Sequence, residues 1–173
     1  MMPKFPALLA IALLLSSPVG AQSSDYLSDF LKKWQNAAAY TLEVAELMPA
    51  DAYDYRPTPE VDSFREQLLH SVSNMVWLST SYLGGEGWAV DLKREDYTKA
   101  EVLDILRTAF DYSTRMVEAL DAPQLAESVD FFAGPMNKRQ ILQLMNDHLT
   151  HHRRQAIQYL RQKGIKPPAY RGW

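Results

Sequence analysis

The chain has 173 residues, 47% of them hydrophobic and 23% charged, and a formal net charge of −3. That is one domain's length with an ordinary globular make-up, which excludes a disordered chain and, with no basic excess, a dedicated nucleic-acid binder. The absence of cysteine further excludes disulfides, thiolate nucleophiles, finger-type zinc sites and a lipid-modified cysteine, leaving any chemistry to imidazole, carboxylate, hydroxyl and amine groups.

The chain opens with a single early positive charge at Lys4, then an almost purely apolar run from Phe5 to Leu15. Ser16, Ser17, Pro18 and Gly20 follow, with small residues at Val19 and Ala21. That order is the three-part layout of a secretory signal peptide. It predicts a leader over residues 1–21, a mature domain over 22–173, and a periplasmic or secreted protein. The apolar run is about half of the roughly 20 residues that a membrane span needs, so an uncleaved anchor is the weaker reading. No later stretch is apolar enough to span, so the mature protein is not expected to insert in a membrane.

The first predicted helix covers residues 25–48, where Tyr26, Phe30, Trp34, Ala37, Thr41, Val44 and Leu47 recur at three- and four-residue steps. Pro49, Pro57 and Pro59 end it. The second covers 63–83: it opens on Ser63-Phe-Arg-Glu66, a capping box, and stops at Gly84-Gly85. The third covers 98–120 and opens on the box Thr98-Lys-Ala-Glu101. The fourth covers 137–164, from the variant box Asn137-Lys-Arg-Gln140 to Gly164, with Pro167 and Pro168 beyond. No segment alternates as a strand does. The prediction is all-α, and helices of similar length bury their stripes best as an antiparallel four-helix bundle. The connections 84–97 and 123–135 are longer than most between helices and carry Trp88, Tyr97, Phe131 and Phe132. Such loops either shape the mouth of a pocket or pack onto the bundle end.

Three of the four histidines fall in His148-Leu-Thr-His151-His152. On a helix, His148 and His152 lie about 40° apart and one turn along, a spacing that lets two imidazoles reach one metal. Their face continues through Ile141, Met145, Gln155, Ala156 and Tyr159, so it points inward. His151 is rotated about 60° from His148, towards Asp147 and Arg154 on the polar side. The remaining histidine, His70, lies in the second helix on a stripe with Ser63, Gln67, Asn74 and Trp77, beside apolar rows. Two readings stay open from spacing. His70, His148 and His152 form an open metal site, or they are buried imidazoles satisfied by amides and carbonyls. Asn74 and Gln155 could orient ligands, with packing or exposure the plainer reading; Trp77 and Tyr159 read as core aromatics. Glu66, one turn before His70, is explained by its cap, and no other carboxylate stands where a general base should.

Three stretches together resemble the DinB/YfiT-like metalloenzyme family. They are Leu47-Met-Pro through Tyr53-Asp-Tyr-Arg-Pro-Thr-Pro-Glu60 to Leu68-Leu-His70, then Asp147-His-Leu-Thr-His-His-Arg-Arg-Gln155, and Tyr159-Leu-Arg-Gln-Lys-Gly164-Ile-Lys-Pro-Pro168. The resemblance covers residues 25–170. It implies a four-helix bundle holding a divalent metal, commonly zinc or nickel, on one histidine of the second helix and two of the last, here His70, His148 and His152. It further implies a metal-dependent hydrolase or transferase acting on a small molecule; some relatives transfer small thiols onto electrophiles. The leader departs from that pattern and counts against a cytosolic thiol as co-substrate. A non-catalytic metal- or ligand-binding bundle, and a bundle with hydrogen-bonded histidines and no metal, remain as alternatives. A homodimer would suit a small bundle with aromatic loops.

Overall fold

A computed structural model of the chain describes residues 19–94 and 96–173; the predicted leader falls almost wholly outside them. Four long helices carry the fold: α1 (Val19–Leu47), α2 (Phe64–Tyr82), α3 (Lys99–Glu118) and α4 (Lys138–Gln162). Their starts sit where local chemistry puts them. At the head of α2 the Glu66 N–H donates to Ser63 Oγ at 3.3 Å and the Ser63 N–H donates to Glu66 Oε2 at 2.5 Å. Thr98 with Glu101, and Asn137 with Gln140, repeat that exchange for α3 and α4, and each cap contributes about 1 kcal/mol. At the end of α4, Gly164 takes φ +72°. The Gly164 and Ile165 N–H groups then close onto the Arg161 and Leu160 carbonyls at 2.9 Å, which satisfies carbonyls the helix leaves open.

Among the described residues the one exception to the all-α expectation is a two-residue antiparallel ladder, Ser128–Val129 against Met136–Asn137. It pinches the connection before α4. Short 3₁₀ turns occupy Ala50–Ala52 and Ala122–Ala126.

α1 packs against α3 and α4, and α2 packs against α3 and α4. The pairings give each seam a direction. Trp34 donates to Ser113, and Lys99 donates to the Met48 carbonyl, so α1 and α3 are antiparallel. Gln67 meets His152 and Ser79 meets Met145, so α2 and α4 are antiparallel as well. But Tyr26 donates to the Arg139 carbonyl while Arg153 reaches Ala37, so α1 and α4 run side by side in the same direction. α2 and α3 are then parallel too. The expected antiparallel bundle therefore holds at two seams and is corrected at the other two.

The reason lies in the 84–97 connection. A parallel neighbour can be reached only by returning along the bundle. The 19 residues of α2 make a rod about 28 Å long, and about 14 extended residues reach about 46 Å. The connection runs that distance, with Trp88 against Tyr112 at a ring separation of 5.7 Å and Arg94 paired to Glu101 at 2.9 Å. Inside the ring of helices lie Trp34, Leu68, Val72, Leu106, Met145 and Leu149, all essentially inaccessible to water.

Candidate metal centre

The α2–α4 seam is where the helices bring polar groups inward. His70 comes from the second turn of α2, and His148 and His152 come from successive turns of α4. One ring nitrogen of each lies within 4.8 Å of the others. Ring centroids are 5.0 Å apart for His70 and His148, 4.6 Å for His70 and His152, and 4.5 Å for His148 and His152. His148 and His152 are half-buried while His70 is exposed. The cluster thus stands at the edge of the bundle rather than in its centre.

Burial, followed by the neighbouring imidazoles, lowers the pKa of His148 to about 4 and of His152 to about 4 from the ordinary 6.5. Both rings are therefore neutral at physiological pH, with a lone pair free on one nitrogen each.

Two second contacts decide what those lone pairs can do. His152 Nδ1 lies 2.6 Å from Gln67 Oε1. An amide oxygen only accepts, so the ring proton sits on Nδ1 and Nε2 keeps the lone pair. Gln67 is 3% exposed and its side chain also meets the Tyr159 hydroxyl. Tyr159 in turn donates to the Asp62 carbonyl at 2.9 Å, so the ring's orientation is fixed from behind. His148 Nδ1, by contrast, is buried with no hydrogen-bond partner among the described residues, and so is Asn74 Oδ1 one turn beyond His70. Buried polar atoms are almost always satisfied. His148 is thus not held through Nδ1 as a hydrogen-bonded core imidazole, and its place in a group of three with ring nitrogens within 4.8 Å of one another is compatible with metal ligation.

The donor set, three neutral imidazoles and no thiolate, could hold a divalent metal ion. Three nitrogens around one tetrahedral ion stand about 3.3 Å apart, so the rings, whose nitrogens lie within 4.8 Å of one another, would have to draw together on an ion.

A cavity of about 420 Å³ opens beside His70, lined by residues of α2, of the segment before it and of the crossing connection, including Arg56, Glu66, Leu92, Lys93 and Arg94. Leu92, Lys93 and Arg94 of the 84–97 connection line this cavity, while its Trp88 packs onto Tyr112 of α3. Glu66 lines the cavity, but is engaged at the Ser63 cap and paired to Arg56 at 2.9 Å. The hydrogen bond from Ser63 holds its carboxyl below the usual range.

His151 is exposed and outside the group of three, with its ring edge-on to His152 at 4.9 Å and its Nε2 against Gln155 Nε2 at 2.7 Å. Gln155 therefore serves His151, whereas the amide that orients a clustered ring is Gln67, which lay on the same stripe as His70 without being singled out. The expectation of Trp77 as a core aromatic is corrected: it is 37% exposed, at the outer end of the His70 stripe, edge-on to Tyr82 and tilted against Phe131 and Phe132. Tyr159 is buried as expected.

Comparison with known proteins agrees with the fold. The model of the DinB family matches residues 22–172. The protein YjoA of Bacillus subtilis (strain 168) is 26% identical over 146 residues, which cover 83% of this chain and 92% of YjoA. The fold is that of a DinB-like protein from Bacillus cereus ATCC 10987, with a TM-score of 0.73 at 19% identity over 83% of this chain and 96% of that one. The crystal structure of YjoA superposes with a TM-score of 0.69 at 22% identity, over 83% of this chain and 97% of that one. The chain belongs to the DinB family.

Proposed function

For this member of the DinB family, we propose an exported metal-dependent enzyme, a hydrolase or transferase, that acts on a small polar molecule held in the cavity beside His70. The observation that carries the reading is the buried, unpartnered Nδ1 of His148 within a cluster of three imidazoles. His70, His148 and His152 would hold a divalent ion, zinc or nickel by donor type, which supplies Lewis acidity and makes a bound water or thiol nucleophilic near neutral pH.

The chain's own residues do the rest. Gln67 keeps His152 in the tautomer that leaves Nε2 free, with Tyr159 behind it. The cavity's charged groups of both signs suit a polar ligand. Asp54 and Glu66, two carboxylates of its wall, are each tied to an arginine, at 2.7 Å to Arg65 and 2.9 Å to Arg56. Asp62, the third carboxylate of that wall, is in no ion pair among the described residues, but none of the three belongs to the group of imidazoles, and that observation favours a second reading: a bundle that binds metal or ligand without turnover.

Export rests on the charged, apolar and small-residue order of 1–21. Among the described residues no helix is long and apolar enough to cross a membrane.

The test is a screen of metal-loaded protein against activated esters, and against electrophiles with and without a small thiol. Turnover that falls at least about 100-fold in His70→Ala supports the enzyme; turnover only with thiol present selects the transferase. No turnover by protein with bound metal leaves the binding module as the function.

A further inference from the structure

His152 and Arg153 are neighbours in sequence and about 100° apart on α4. His152 turns to the metal centre, and Arg153 turns into the parallel seam with α1. There Arg153 is 5% exposed, yet among the described residues no carboxylate lies within ion-pair distance of it. Its hydrogen bonds go to the Ala37 carbonyl and the Thr41 hydroxyl at 3.4 Å and to the Thr150 hydroxyl at 3.3 Å. All three are neutral oxygens, farther away than the roughly 2.8 Å of a charge-assisted bond. The guanidinium also sits over the Tyr40 ring, 5.0 Å from its centre, which offsets part of the cost of burying the charge. A buried cation with only weak neutral partners is costly unless an anion completes it.

Arg153 lines a second cavity, also about 420 Å³, between α1, α4 and residues 170–172. That size is within the range of small-molecule sites. Lys33, Arg154 and Arg161 line it too, and none has a carboxylate at ion-pair distance among the described residues; Arg171 is paired to Glu43 at 2.6 Å. Asp147 is the one acidic side chain on its wall. The end of the chain is tied down over it: Asn36 Nδ2 donates to the Trp173 carbonyl at 2.7 Å, and the Tyr170 ring meets Tyr40 edge-on at 6.3 Å. The cavity therefore has a cationic floor and rim and an aromatic wall.

We propose that this cavity binds a small organic oxyanion, a carboxylate or phosphate on an apolar body, with the anion taken by Arg153 and the rim arginines and the body lying against Tyr40 and Tyr170. The site is separate from the metal centre and does not depend on it.

Titration calorimetry of the full chain with phenyl phosphate, beside inorganic phosphate and phenol, tests the proposal. His148→Ala/His152→Ala is titrated in parallel, so that metal–phosphate contact cannot mimic the result. The expected outcome is one saturable phenyl phosphate site, retained in the histidine variant and weakened at least 10-fold by Arg153→Gln. The exposed pair Arg154→Gln/Arg161→Gln should also weaken it at least 10-fold, and that variant carries the test if loss of Arg153 impairs folding. No saturable binding, binding indifferent to the arginine variants, or binding lost with the histidines would overturn the proposal. Inorganic phosphate or phenol binding as tightly as phenyl phosphate would overturn the combined anionic and apolar recognition.

Discussion

The α1–α3 seam and the α2–α4 seam are both antiparallel and both buried along much of their length, yet they are built from different materials. Between α1 and α3, Trp34 is fully inaccessible, packs on Phe110 at 5.4 Å, and satisfies its one polar atom on Ser113 at 3.1 Å. Among the described residues no buried side-chain polar atom of α1 or α3 lacks a partner. Between α2 and α4 the same kind of helix contact holds three imidazoles and an amide, and leaves His148 Nδ1 and Asn74 Oδ1 without partners. A seam that only had to hold the fold together would gain by replacing those groups with leucines. The first seam supplies stability, and the second spends some of it on a site.

That contrast can be broken most forcefully from the stability side. Trp34→Ala should cost about 3–5 kcal/mol in urea denaturation, the usual range for truncating a buried aromatic, while metal affinity per folded molecule stays unchanged. Gln67→Leu should act the other way. It frees the His152 ring behind the cluster and should weaken metal binding about 10- to 100-fold in a chelator competition, with a much smaller effect on folding.

A further expected effect is on pH dependence. In the metal-free fold His148 and His152 titrate at about 4, below the 6.5 of an unfolded imidazole. Between those values the unfolded chain takes up protons that the native state refuses. The stability associated with the neutral rings is therefore fully present above pH 6.5 and drains away as pH falls towards 4. Denaturation of chelated protein across that window should show the fall. His148→Ala/His152→Ala should flatten it relative to wild type; identical profiles would mean that the two rings are not buried neutral together.

The helix starts were legible because a capping box is a local device: Ser63 with Glu66 and Thr98 with Glu101 satisfy each other wherever the rest of the chain goes. The spacing of His148 and His152 was legible for the same reason, being fixed by the pitch of one helix. The path of the chain was not. Whether residues 84–97 turn back or run the length of the bundle depends on which helix buries α3's apolar stripe, a choice made by packing between segments distant in sequence. Gln67 was passed over because an amide on a half-polar stripe looks the same whether it meets water or an imidazole. Trp77 misled because it shares its stripe with His70, and that stripe leads to the edge of the bundle.

The central claim is that the α2–α4 seam holds a metal on three histidines. The most direct measurement is elemental analysis of protein from residue 22 onward, purified without chelator or nickel resin, beside His148→Ala/His152→Ala. The account predicts close to one divalent ion per wild-type chain and almost none in the variant, with the metal-free variant folding within about 1 kcal/mol of metal-free wild type. Wild-type protein that stays empty after zinc and nickel are offered, or a variant that loses several kcal/mol in the metal-free state, would contradict it and make the histidines part of the packing.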